Sequence, residues 1–224
     1  MPDTHTQEQA HLDVTPETFS SDSSRRAFLT TLMAGATAAT TLAVAPKSVF
    51  ASTGKMSHVG AGFPATDANI LNYALTLEHL ETAFYEHAAM MMHGSGAYMR
   101  KVISVLRYDE QQHVAGLTAA LTQGGYKPVA AAAKYNLPNV FGSKKAFLTF
   151  AAVLEDTGVH AYHGQVPNIK TKALLITATQ IVTVEARHTG AIRALLQTNP
   201  TDGPFDHGST MKQVLAIAGP LIGK

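Results

Sequence analysis

The sequence predicts an all-α fold, an antiparallel four-helix bundle in which one long crossover joins the second and third helices. With 46% hydrophobic and 15% charged residues among 224, the chain has the composition of one globular domain with an added segment. Apolar residues recur at helical spacing along four long stretches after residue 66. Only short links join the first stretch to the second and the third to the fourth, whereas residues 124–143 separate the two pairs.

The four long helices are expected between residues 67 and 198. Thr66 or Asp67 suits the N-cap of the first helix, and Ser143 suits that of the third. Glycines 124 and 125 end the second helix, and a proline follows each of the last two. The predicted spans are about 67–92, 96–123, 143–165 and 170–198, and a short helix follows at about 210–217.

The N-terminal part of the chain resembles a twin-arginine export signal. Arg25 and Arg26 lie in the pattern S-R-R-x-F-L, and a weakly apolar run follows them. Cleavage is expected after Ala51, because the alternative site at Ala45 would leave a proline in the first mature position. The resemblance implies that export machinery of the twin-arginine type carries the folded protein to the periplasm or the cell exterior.

A retained membrane anchor is the alternative reading of this segment. Residues 27–45 reach spanning length but are diluted by threonine and glycine, so no membrane span is expected in the mature protein. The predicted organisation is the export signal at 1–51, a linker at 52–66, the bundle at 67–198 and a C-terminal extension with a short helix at 199–224.

Charge and cysteine content exclude several classes of function. The formal net charge is only +1 and the basic residues are scattered, which argues against nucleic acid as a partner. The chain has no cysteine, so disulfides, thiolate catalysis and thiolate metal sites are excluded. Any metal must therefore bind to oxygen and nitrogen.

Two predicted helices carry a Glu-x-x-His pair on an otherwise apolar face. Glu185 and His188 align with Ile181 along the fourth helix, because residues three or four apart share a face. The same spacing places Glu110 and His113 on the apolar face of the second helix. A buried carboxylate without a partner costs several kcal/mol or takes up a proton, so these faces require a partner.

The other two helices each carry one glutamate on the apolar face and a tyrosine seven residues later. These are Glu78 with Tyr85 and Glu155 with Tyr162. The chain therefore repeats E-x6-Y followed by E-x-x-H, in the order that two hairpins related by a pseudo-twofold axis require. Four of the six glutamates after residue 51 occupy these positions.

These motifs resemble the ferritin-like di-metal carboxylate superfamily over about residues 67–197. The stretches NYALTLEHLETAFY, DEQQHVAGLTAAL, LEDTGVHAYHG and VEARHTGAIRALL are similar to exported ferritin-like proteins related to plant desiccation-associated proteins. The resemblance implies two metal ions held by one Glu from each of two helices and a Glu-x-x-His from each of the others. The implied ligands are Glu78, Glu110, His113, Glu155, Glu185 and His188. Oxygen and nitrogen ligands without thiolate favour Fe or Mn.

Several neighbouring side chains leave alternatives open. Glu81 competes with Glu78 as the ligand of the first helix; Glu78 is preferred because its spacing to Tyr85 recurs in the third helix. Tyr85 and Tyr162 are expected either to donate hydrogen bonds to ligand carboxylates or to serve only as core residues.

Two aspartates flank the proposed ligands. Asp109 and Asp156 point about 100° away from the ligand face of their helices, so a surface or helix-end role is expected for them.

Three functions are consistent with this pattern. The first is a redox di-metal enzyme that acts on dioxygen or peroxide, like a ferroxidase or a manganese catalase. The second is a non-catalytic metal-binding protein of stress or desiccation, and the third is iron storage in a cage. A monomer or a small oligomer such as a homodimer is expected rather than a cage.

Overall fold

The structure, a computed structural model, describes residues 63–223. The all-α prediction is confirmed, because the described part contains helices, turns and one isolated β-bridge but no strand. The helices are α1 (Ala65–Met91), α2 (Ala97–Gln123), α3 (Lys144–Gln165), α4 (Lys172–Leu196) and α5 (Met211–Ala218), and 3₁₀ turns follow α3 and α5 at Val166–Asn168 and Gly219–Leu221.

Two helical hairpins form the bundle. The most extensive contacts join α1 with α2 and α3 with α4, as the short links between them predict. The crossover at 124–143 is held by the C-terminal end of the described chain. The amide of Asn136 donates to the carbonyl of Leu221, and the amide of Gly223 donates to the carbonyl of Lys134.

The helix starts agree with the sequence prediction at α3 and differ from it at α1. Ser143 caps α3 as expected, since its hydroxyl accepts a hydrogen bond from the amide of Ala146. Neither Thr66 nor Asp67 caps α1, which begins two residues earlier with Pro64 as its N-cap.

Asp67 instead binds the backbone directly before the fourth helix. Its carboxylate is fully buried and accepts the amide of Lys170 at 3.0 Å and that of Thr171 at 2.8 Å, immediately before α4. Burial acts to raise the pKa of Asp67, but these backbone donors outweigh it and the pKa lies below its ordinary value. The residue that the sequence assigns to its own helix thus ties the first hairpin to the second.

Two apolar layers enclose a polar layer in the middle of the bundle. Towards one end, aromatic rings from α1 and α3 pack together, with Phe84 stacked on Phe147 at a centroid distance of 5.3 Å. Towards the other end, apolar side chains of all four helices pack together, including Leu75, Leu121, Val159 and Ile181. The polar layer between them is therefore shielded from water on both sides.

Among the described residues, no helix is both long enough and apolar enough to cross a membrane.

Candidate metal centre

The polar layer brings together the six candidate ligand side chains of the repeated motif. The four carboxylates of this cluster are fully buried, and its two imidazoles are 9% and 5% exposed. The members are Glu78 from α1, Glu110 and His113 from α2, Glu155 from α3, and Glu185 and His188 from α4. Each helix of the bundle therefore contributes at least one of them.

The six side chains divide into two groups of four that share two carboxylates. In each group, one ligand atom per residue lies within 4.8 Å of every other. We call the group of Glu78, Glu110, His113 and Glu185 the first position, and the group of Glu110, Glu155, Glu185 and His188 the second position. Glu110 and Glu185 belong to both groups, so each of them could bind a cation at either position.

At the first position, one imidazole nitrogen faces three carboxylates. Nδ1 of His113 lies 3.2 Å from Glu78 Oε2, 3.0 Å from Glu110 Oε2 and 2.9 Å from Glu185 Oε1. A single N–H cannot donate well to three oxygens at once. One cation between the nitrogen and the oxygens would satisfy all four atoms.

The second position repeats this arrangement. Nδ1 of His188 lies 3.0 Å from Glu110 Oε1, 3.2 Å from Glu155 Oε2 and 3.7 Å from Glu185 Oε2. The two imidazole rings are 6.3 Å apart between centroids, so each nitrogen serves its own group.

The shared carboxylates carry buried oxygens that have no hydrogen-bond donor. These are Glu110 Oε1 and both carboxylate oxygens of Glu185. The ring nitrogens lie close to them, but none is aligned to donate. Leaving a buried acceptor unsatisfied costs about 1–3 kcal/mol, and more when it is charged. The orphaned oxygens and the oxygen and nitrogen donor set both fit a pair of metal ions.

Without cations, the carboxylates of the cluster cannot all remain ionised. Burial raises the pKa of Glu78 to about 8, although the His113 imidazole acts in the opposite direction. Burial likewise raises the pKa of Glu155 well above its usual range. Burial also acts on Glu185, but the imidazoles of His113 and His188 outweigh it and hold the pKa of Glu185 below its ordinary value.

The pKa values of the two imidazoles are raised by the carboxylates around them. Burial acts to lower the pKa of His113, yet the surrounding carboxylates, with Glu78 foremost, raise it well above the usual value. The same balance, with Glu155 foremost, raises the pKa of His188. The metal-free cluster therefore holds protons where the metal-bound cluster would hold cations.

Each tyrosine of the motif reaches across to the other hairpin. The Tyr162 hydroxyl donates to Glu78 Oε1 at 2.5 Å, and the Tyr85 hydroxyl donates to Glu155 Oε1. Both hydroxyls are buried within the cluster. Of the two roles left open by the sequence, the geometry matches hydrogen bonding to ligand carboxylates.

Asp109 is a functional neighbour that the sequence interpretation missed. Its Oδ2 lies 3.1 Å from His188 Nε2, the ring nitrogen that faces away from the second position. The expected surface role for Asp109 is therefore wrong. A carboxylate on the outer nitrogen of a ligand histidine fixes the tautomer and orientation of the ring. The five-residue pattern D-E-x-x-H was the available signal, but it gives no indication of the helix that Asp109 faces.

The corresponding place in the other half of the repeat holds Val184, so this support is one-sided. Among the described residues, no carboxylate lies within hydrogen-bond distance of His113 Nε2. Asp156 points away from the cluster and pairs with Arg193 at 2.5 Å, in agreement with the expectation for it.

Glu81 lies close to the cluster but in neither group of four. It is 3% exposed, one helical turn after Glu78. Burial, followed by the negative charges of the ligand glutamates, raises the pKa of Glu81 well above its ordinary value. Glu78 is therefore the residue of α1 that the geometry assigns to the first position, and Glu81 is an additional buried carboxylate beside it.

The predicted export signal cannot be placed in this geometry. Arg25, Arg26 and the expected cleavage site after Ala51 lie outside the described residues, so they remain sequence predictions.

Comparison with known proteins agrees with this picture of the fold. A family model described as "Ferritin-like domain" matches residues 66–198. A solved structure of a conserved hypothetical protein, rv2844, from Mycobacterium tuberculosis is similar at a TM-score of 0.54 and 20% identity, over 63% of this chain and 97% of that one. This identity supports a shared fold alone. No curated protein is matched by the chain.

Proposed function

Because the chain belongs to the ferritin-like domain family, we propose that it binds two metal ions, Fe or Mn, and uses them for redox chemistry on dioxygen or peroxide. The observation that carries the proposal is the pair of four-residue groups that share Glu110 and Glu185, whose orphaned oxygens call for cations. A pair of such ions supplies open coordination positions and one-electron chemistry that side chains alone lack.

The chain's own residues have separable roles in this proposal. Glu110 and Glu185 hold both positions, while His113 with Glu78 and His188 with Glu155 each complete one. Tyr162 and Tyr85 hold the two terminal glutamates by hydrogen bonds from the opposite hairpin. The apolar layers on both sides exclude water and thereby strengthen every charge interaction in the centre.

The proposed location is outside the cytoplasm, in the periplasm or the exterior. Its support is the sequence pattern around Arg25 and Arg26. Replacement of both by lysine is expected to retain the full-length precursor inside the cell, whereas the wild type is expected to yield a mature N-terminus at Ser52. Intact mass measurement distinguishes the two forms.

The test of the central proposal is metal content and turnover of the natively exported protein. Elemental analysis is expected to find about two Fe or Mn per chain, together with consumption of peroxide or of dioxygen. For variants of the cluster glutamates, such as Glu110→Ala, the matched control is Glu86→Gln, because Glu86 is an exposed glutamate of α1 outside the cluster.

Two outcomes would contradict parts of the proposal. Two bound metals without turnover would leave a non-catalytic metal-binding role in stress protection. A folded wild-type protein that binds no metal would show that the six side chains form a proton-sharing network instead.

A further inference from the structure

Glu81 is the buried charge that the proposed centre does not explain. Its carboxylate is almost completely removed from water. No described side chain donates a hydrogen bond to it or forms an ion pair with it. The charged groups that act on it most strongly are the four ligand carboxylates, all of the same sign. A buried carboxylate in such surroundings is destabilising unless a cation offsets it.

Gly158 provides the space for this carboxylate. A Cβ atom at Gly158 would lie 3.1 Å from Glu81 Oε1 and 3.7 Å from Glu185 Oε2. Glu81 and Glu185 therefore line the same small space beside α3, and the first contact is tighter than an ordinary van der Waals contact. Any larger side chain at 158 would push Glu81 away from the centre.

The internal repeat shows that this arrangement is one-sided. When the halves are aligned on Glu78 and Glu155, Glu81 of α1 corresponds to Gly158 of α3. One half supplies a carboxylate and the other supplies the gap that receives it. The six candidate ligands of the repeated motif are arranged symmetrically between the halves, but the surroundings of the centre are asymmetric.

From these contacts we propose that Glu81 is a seventh protein ligand of the metal centre, which binds a cation from the side of Glu185 through the gap at Gly158. The inference rests on the proposed function, since it requires that the centre holds metal. It adds a fifth carboxylate to the four of the repeated motif, so the complete donor set is five carboxylates and two imidazoles. When fully ionised, that set carries more negative charge than two divalent ions neutralise.

The test is titration of the metal-free, full-length protein with Co²⁺, which reports affinity by calorimetry and coordination by its visible absorption. Glu81→Gln keeps the shape and removes the charge, and Glu86→Gln removes a surface charge from the same helix. We expect Glu81→Gln to weaken Co²⁺ binding by about tenfold or more and to change the Co²⁺ spectrum, while Glu86→Gln matches the wild type.

The thermal midpoint of the metal-free variants separates a ligand from a packing residue. Glu81→Gln is expected to raise the midpoint of the metal-free protein while it weakens metal binding, because it replaces a carboxyl group whose burial beside other carboxyl groups is destabilising. A raised midpoint with unchanged Co²⁺ affinity and spectrum would overturn the inference. A wild-type protein that binds no Co²⁺ would instead overturn the proposed function, and the inference with it.

Gly158→Ala provides a second, independent test. It is expected to weaken Co²⁺ binding by displacing Glu81, and to have no additional effect in a Glu81→Ala background where nothing is left to displace. Effects that simply add in the double variant would mean that Gly158 and Glu81 act separately, contrary to the inference.

Discussion

The two hairpins carry the same motif but place it in unequal surroundings. Each contributes a lone glutamate, a tyrosine that bonds to the other hairpin, and a Glu-x-x-His pair. Within residues 63–223, only the second position has an aspartate behind its histidine, and only α1 adds a further buried glutamate. The shared features are those that any two-cation site of this kind needs. The departures are the places where the two positions would differ in how they hold a cation.

The largest expected effect comes from the carboxylates that belong to both positions. Glu110→Ala or Glu185→Ala is expected to abolish binding at both positions, because each residue is a member of both groups. Glu78→Ala or Glu155→Ala should impair chiefly one position. Metal stoichiometry by elemental analysis checks this, and equal losses from all four variants would contradict the division into shared and unshared ligands.

The pH response of the metal-free protein tests whether the buried groups behave as one centre. Burial raises the pKa of Glu78 from 4.5 to about 8, so between these values the folded state holds a proton that the unfolded state releases. Its stability therefore falls as the pH rises from about 4.5 to about 8. The raised pKa values of His113 and His188 act in the same direction above pH 6.5.

Thermal midpoints measured at pH 5, 6, 7 and 8 provide the check. The metal-free protein should lose stability across this series, and the metal-loaded protein should lose much less because cations replace the protons. A metal-free midpoint that increases with pH would contradict the assignment of these pKa shifts.

A smaller, one-sided effect is expected at Asp109. Asp109→Asn removes the charge behind His188, and losses at such outer partners are about 10–100-fold in metal affinity. The loss should fall on the second position and leave the first within about threefold. Asp156→Asn is the control, because this aspartate is also adjacent in sequence to a glutamate of the cluster but pairs with Arg193. Stepwise calorimetric titration resolves the two positions. An equal loss of affinity at both would contradict the prediction that Asp109 supports the second position alone.

The smallest expected effect concerns how the halves are joined. Asp67→Ala leaves the amides of Lys170 and Thr171 without their acceptor and is expected to reduce the free energy of unfolding by about 1–3 kcal/mol. Ser143→Ala removes a cap within one hairpin and should cost about 1 kcal/mol. Urea unfolding measures both. If Asp67→Ala cost clearly less than Ser143→Ala, the link between the hairpins would be unimportant for stability.

The sequence was informative wherever one helix decides the answer. Helical periodicity predicted the four long helices and the face on which Glu78, Glu110, Glu155 and Glu185 lie, because a face depends only on spacing within a helix. It failed for Asp109 and Asp67, whose partners lie on α4 or directly before it. The residue pattern within one helix does not indicate which neighbouring helix packs against a given side chain. The relation of Glu81 to Gly158 likewise depends on the register between α1 and α3, which only the packed bundle reveals.

The opposition of Glu81 and Gly158 also bears on how such a bundle can arise. A symmetric pair of identical hairpins would carry the same residue at both places. Two glutamates would compete for one space, and two glycines would leave it without a carboxylate. A single chain that contains both hairpins escapes this constraint, because its two copies can diverge at one site. Covalent fusion of the halves thus permits a glutamate in one half to lie opposite a glycine in the other. A symmetric dimer of one hairpin could not have this asymmetric pair.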